Sequence, residues 1–239
     1  MKIFPAIDIF GGKAVRLYKG DYNQMTVYSD NPLSVALDFE KSGAKNIHIV
    51  DLEGAKSGKP ENLDIIKQIA TNTNLFIEVG GGIRTMQVVD TYLSSGVDRV
   101  ILGTSAVTDE QFLNACIDRY KDKIAVGADI DNGYIAIKGW QEKSAYTVDA
   151  FFEKMQSIGV KTVICTDISK DGALKGTNLE LYKTLKEKYK INLIASGGVS
   201  SIEDIVSLTK MGAYGAIIGK AYYTGAIKIE EAVEKASDN

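Results

Sequence analysis

Histidine and tryptophan each occur once in this chain, cysteine twice and proline three times. One histidine and two distant cysteines make no zinc spacing, so no metal is expected. Cys116 sits in an apolar-patterned helix and Cys165 in an apolar strand. They make no disulfide framework and read as buried free thiols of a reducing compartment. Pro5, Pro32 and Pro60 come without a low-complexity tract or charge block, so nothing marks a linker. Neither sign of charge dominates: 28 basic residues face 31 acidic ones, for a net charge of −3. That leaves no general field for nucleic acid or an anionic membrane, and phosphate binding has to be local. No apolar run approaches the roughly 20 residues of a membrane span. Asp8 also stands where a signal peptide needs apolar residues. The expectation is a soluble, cytoplasmic monomer of one domain over residues 1–239, with 45% apolar residues to build its core.

What the chain does have is a repeat. VDLEGAKSGKPENL around Asp51 is echoed by TDISKDGALKGTNL around Asp167. One offset of 116 residues pairs Asp51 with Asp167, Asn62 with Asn178, Gly81-Gly82 with Gly197-Gly198, Gly96 with Gly212, and Gly103 with Gly219. Two halves built alike, each with glycine-bearing strand ends, imply a ligand that carries one chemical group twice.

Short apolar runs rich in Ile and Val alternate with amphipathic stretches. The runs are 3–8, 46–51, 75–79, 99–103, 124–129, 162–167, 192–196 and 213–219. They are continuous rather than alternating, as strands of a sheet covered on both faces are. Helical spacing of apolar residues predicts helices over 32–43, 62–71, 85–95, 109–119, 148–159, 178–189, 201–211 and 225–235. Eight of each is the count of an α/β (β/α)8 TIM barrel, here made of two similar half-barrels. An open doubly wound sheet is the alternative, but a half-repeat favours closure, because two four-strand halves complete a ring.

Active sites of such barrels lie at the C-terminal ends of the strands. Gly81 and Gly82 follow the third strand, and Gly103 and Thr104 the fourth. Gly197 and Gly198 follow the seventh strand, and Gly219 and Lys220 the eighth. Glycine lets backbone N–H groups approach an oxyanion, and consecutive N–H groups at a turn or helix start cradle it. Lys220 and Arg84 can add positive charge, although Arg84 reads equally as a surface ion-pair residue. Asp8 ends the first strand and Asp129 the fifth, on opposite sides of a ring of eight. A base and an acid so placed can move a proton on and off a substrate without metal or cofactor. Asp131, two residues beyond Asp129, competes for the role. Asp51 and Asp167 read as partly structural, tying down neighbouring loops. His48 lies inside the second strand, as a satisfied interior group or as one that orients a catalytic aspartate. Trp140 follows Lys138-Gly139 in a loop at the active end, where it can stack on a planar ligand.

At these residues the chain resembles the phosphoribosyl isomerases of histidine biosynthesis. The resemblance spans PAID-x-F-GGK-x-V-R-L at 5–17, HIVDL at 48–52, GGGIR at 80–84, D-x7-I-KGW at 129–140, TDISKDG at 166–172, SGGVSS at 196–201 and IIGKA at 217–221. Single motifs are weak; the ordered set is strong. It implies the half-barrel repeat, a small-molecule bisphosphate substrate and a cofactor-free Amadori rearrangement. That reaction takes the phosphoribosylamino-methylideneamino imidazole carboxamide ribotide (ProFAR) to its ribulosyl isomer. It also implies Asp8 as proton acceptor and Asp129 as proton donor, with Arg16, His48, Arg84, Trp140, Thr166 and Asp171 around the substrate. Related enzymes are also described with the acid at the position of Asp171. Ala173 departs from the family's usual Thr, and Lys220 from its usual Arg; Lys meets a phosphate only as a point charge. The nearest competing family is the cyclase subunit of imidazole glycerol phosphate synthase, which usually has Lys where Arg16 stands and lacks the KGW loop. A bifunctional isomerase that also takes phosphoribosylanthranilate shares the same chemistry, and the residues do not separate the two.

Overall fold

A computed structural model of the chain describes residues 1–18 and 20–237. Twelve strands form among them: β1 (Lys2–Phe10), β2 (Lys13–Tyr18), β3 (Asp21–Ser29), β4 (Asn46–Asp51), β5 (Phe76–Gly80), β6 (Arg99–Leu102), β7 (Ile124–Asp131), β8 (Tyr134–Ile137), β9 (Glu142–Thr147), β10 (Thr162–Asp167), β11 (Asn192–Ser196) and β12 (Gly215–Ile218). Eight of them pair in parallel in the order β10-β11-β12-β1-β4-β5-β6-β7, and β7 pairs β10 to close the ring. The (β/α)8 barrel is therefore present, and the open-sheet alternative is not.

Each of the eight expected helices forms within a few residues of its predicted span: Pro32–Lys41, Leu63–Asn72, Met86–Ser94, Glu110–Tyr120, Val148–Ser157, Leu179–Lys188, Ile202–Lys210 and Ile229–Ser237. Their starts are chemically marked. Asn31, Thr85, Asp109, Thr147, Asn178 and Ser201 each accept a backbone N–H of the first turn through the side chain. The last helix begins four residues later than expected. A short helix, Lys220–Tyr223, and the left-handed turn at Gly225 come first.

The helices bury one face against the outside of the barrel. Inside it, Phe4, Ala6, Ile101, Ala125, Ile164, Ile194 and Ile217 form a separate apolar filling. Both cysteines are buried and free. Among the described residues no helix is long and apolar enough to cross a membrane.

Two hairpins lie outside the predicted pattern. β1 runs on past Asp8 and pairs antiparallel with β2, which pairs with β3; β7 runs on past Asp129 into β8 and β9. Asp8 faces Val15 in the first hairpin and Asp129 faces Ala136 in the second. The halves thus correspond here too, but at an offset of 121, five more than in the rest of the chain.

The 116-residue repeat is built around two carboxylates. Asp51 accepts from the backbone N–H groups of Gly54 and Asn62, the Asn62 side-chain amide and the Tyr92 hydroxyl. Asp167 accepts from the N–H and hydroxyl of Ser169 and from the Asn178 amide. Both tie a loop to the end of its strand, as expected. Backbone packing explains Gly81 and Gly197. Each has positive φ (114° and 88°), and a Cβ would run into the carbonyl of Asp51 or of Asp167 respectively.

Asp51→Ala leaves four donors without their acceptor in a fully buried site, so it should cost on the order of 3–5 kcal/mol. Tyr92→Phe removes one hydrogen bond to a charge and should cost about 1.5–3 kcal/mol. Urea unfolding of both variants checks the order; equal losses would mean that the carboxylate does not organise the loop.

Candidate active site

The barrel brings most of the expected residues to one mouth. Asp8 on β1 and Asp129 on β7 stand four strands apart in the ring. Asp8 is 9% exposed, and its Oδ1 lies 3.1 Å from Nη1 of Arg16, which β2 carries back over it. Among the described residues Asp129 has no ion-pair partner of this kind. The Trp140 indole N–H and the Thr166 hydroxyl are near enough to favour its ionised form. Thr166 is its direct neighbour in the β7–β10 register. Asp131, the competing candidate, is half-exposed beyond the rim, 3.6 Å from Lys143 and bonded to the Asn132 amide. Asp171, in the loop after β10, acts electrostatically on both Asp8 and Asp129, as does His48.

These surroundings set the two aspartates apart. Burial pushes the Asp8 carboxyl above its ordinary range; the Arg16 guanidinium pulls it back, His48 assists, and Asp171 adds to the rise. Burial likewise raises Asp129, opposed by hydrogen bonds from Trp140 and Thr166, with a further push from Asp171. Asp8 shares its ionised form with a fixed cation, whereas Asp129 is held by neutral donors. Burial thus raises both carboxyls, and the rise is opposed by a cation at Asp8 and by neutral donors at Asp129.

Beside the Arg16 guanidinium lies a cleft lined by Asp171, Gly197, Gly198, Gly219 and Lys220 among others. Arg16 passes so close under Gly219 that a Cβ there would collide with the guanidinium. Its Nε is buried without a hydrogen-bond partner among the described residues. Lys220 reaches across to the Gly172 carbonyl, tying the loop after β10 to the strand ends. At the other end, Gly103 precedes a short helix (Thr104–Thr108) with φ −94° and ψ −108°; Gly219 has φ −100° and ψ −107°. The two strand ends thus share one backbone shape. Ser105 joins the first to the Gly80–Arg84 turn through the Ile83 carbonyl. Gly82 packs against the Gly54 backbone, and the Thr104 hydroxyl accepts from the Lys138 N–H. Arg84 is exposed and donates to the Ala55 carbonyl, so its guanidinium serves the neighbouring loop.

Trp140 adopts a left-handed backbone (φ 69°), which turns its indole back over the mouth toward Asp129. The ring also packs on Gly20, where a Cβ would come within 2.9 Å of it. The two hairpins therefore touch above the site.

Residues 2–228 match the family of histidine biosynthesis proteins. The chain belongs to that family. It is similar to curated isomerases of 1-(5-phosphoribosyl)-5-((5-phosphoribosylamino)methylideneamino)imidazole-4-carboxamide. The Ruminiclostridium cellulolyticum protein is 49% identical over 233 residues, 98% of this chain and 99% of its own length. The Oceanobacillus iheyensis protein is 49% identical over 238 residues, 100% of this chain and 99% of its own. The Lactococcus lactis subsp. lactis protein is 48% identical over 239 residues, 99% of this chain and 100% of its own.

Arg16→Gln should move the Asp8 titration further up, because the buried carboxylate loses the cation that favours its charge. Carboxyl 13C NMR of Asp-labelled protein measures it; an unmoved Asp8 midpoint would show that the pair does not set its charge.

Proposed function

We propose that this chain is an intramolecular aldose–ketose isomerase that converts ProFAR to its ribulosyl isomer by an Amadori rearrangement in histidine biosynthesis. The observation that carries the reading is the unlike pair of opposed aspartates in one barrel mouth. Full-length likeness to relatives named for this reaction supports it. Asp129 donates a proton to the ring oxygen of the aminoribose, and the ring opens to a Schiff base. Asp8, paired with Arg16, takes the proton from C2. The enolamine tautomerises to the ketose. Thr166 and Trp140 stand beside the Asp129 carboxyl, and Asp171 raises its affinity for the proton it is to donate. All of these steps are proton transfers, so positioned side chains can perform them.

The substrate is a small bisphosphate. One phosphate lies against Gly197, Gly198, Gly219 and Lys220, the other against Gly81, Gly82, Gly103 and Thr104. His48 and Arg84 lie alongside the substrate. Binding energy from these remote groups holds the sugar for reaction. Against the cyclase reading stand Arg16, ion-paired to Asp8, and the Lys138–Trp140 loop, whose indole acts on Asp129. A bifunctional isomerase would use the same groups, and turnover assays with ProFAR and with phosphoribosylanthranilate separate the two.

Asp8→Asn and Asp129→Asn should each lower kcat by about 10²–10⁴ with KM largely kept, while Asp131→Asn stays within a few-fold of wild type. A larger loss in Asp171→Asn than in Asp129→Asn would move the acid role to Asp171. Wild-type turnover in Asp8→Asn would remove Asp8 as the base.

Inorganic phosphate should inhibit weakly and a bisphosphate long enough to span the mouth much more strongly. Equal inhibition by mono- and bisphosphates would sink the two-ended reading.

A further inference from the structure

Three polar side chains interrupt the apolar interior of the barrel. His48, Glu78 and Arg99 occupy matched register positions on β4, β5 and β6. Their side chains are 12%, 0% and 4% exposed. Glu78 divides its two oxygens between them. Oε1 lies 2.7 Å from Nδ1 of His48, and Oε2 accepts from Nε of Arg99 at 3.0 Å and from its Nη2. The guanidinium rests over the Phe4 and Phe76 rings, with centroids 5.6 and 5.0 Å away. Packing and cation–π attraction thus fix the cation that fixes the carboxylate. Despite burial, His48 and Arg99 hold Glu78 below the usual range for a glutamate.

The repeat supplies an internal control. A shift of 116 residues takes His48, Glu78 and Arg99 to Ile164, Ile194 and Gly215. These keep the same mutual register on β10, β11 and β12. Ile164 and Ile194 belong to the apolar filling. The same scaffold therefore builds this layer without charge in its second half. Buried ions are rarely the more stable filling, because desolvation offsets their attraction. The charged set in the first half calls for a reason other than folding.

We propose that Glu78, clamped by Arg99, is a positioning residue for the isomerisation: it holds the His48 ring by the Nδ1 proton and leaves the Nε2 edge to the substrate between Asp8 and Asp129. The inference rests on the isomerase reading of the site. A carboxylate bonded to one imidazole nitrogen selects the tautomer and orients the ring. The groups that act on His48 are Glu78 directly, Arg99 through it, and Asp8 and Asp129 across the mouth.

His48 is the only histidine, so 15N spectra of histidine-labelled protein report this ring alone. In the wild-type protein the neutral ring should carry its proton on Nδ1. The double variant Glu78→Leu/Arg99→Met removes both charges together and leaves no unpaired ion. Its ring should shift toward the Nε2-protonated form. Its kcat should fall on the order of 10–100-fold, the scale of losing an outer orienting partner, with KM less affected. A wild-type ring protonated on Nε2 alone overturns the proposal, whatever the double variant does. So does wild-type kcat in the folded double variant. If that variant does not fold, the wild-type spectrum decides. Lack of ProFAR turnover by the wild-type protein would instead overturn the isomerase reading, while the spectrum would still report the Glu78–His48 link.

Discussion

Parallel pairing is the constraint from which this molecule follows. A parallel neighbour cannot be reached by a tight turn, so each connection must travel back along the sheet, and here a helix carries it. Repeated around a closed ring, the same step places every strand's C-terminal end on one rim. Residues as far apart in sequence as Asp8, Asp129, Asp171 and Gly219 become neighbours of one opening for that reason alone. Asp51 and Asp167 then hold the loops that leave the rim, each by satisfying several donors at once.

Within that frame, chemistry comes from what each strand end is given as company. Asp8 and Asp129 are the same residue at equivalent strand ends, and burial pushes both the same way. The first meets a guanidinium returned by its own hairpin; the second meets an indole and a hydroxyl. A difference of partners, not of position, is what makes the two carboxyls unlike.

The barrel was legible because its strands are continuous apolar runs and its helices carry one apolar face each. The hairpins were not. DYNQMTVYS and EKSAYT carry no continuous apolar run and become strands by pairing with β2 and β8, which themselves pair with the overhanging ends of β1 and β7. The choice between Asp129 and Asp131 depended on those hairpins, since Lys143 on β9 draws Asp131 outward. In the sequence Gly81 and Gly197 read as anion cradles; the approach of the Asp51 and Asp167 carbonyls, which requires glycine there, is visible only in three dimensions. Glu78 and Arg99 passed as members of apolar strands. The available signal was two opposite charges inside runs that should be buried on both faces.

The altered offset in the hairpins has a consequence for how a ligand lies. By the 121-residue correspondence, Arg16 on β2 is matched by Ile137 on β8. A perfectly two-fold mouth would be degenerate, accepting a doubly charged molecule either way round. Among the described residues the Arg16 guanidinium beneath Gly219 has no counterpart at the matched position, Ile137, so the degeneracy is lifted. A substrate with unlike ends then has one preferred direction, and the mouth is polar in the sense that a compass needle is.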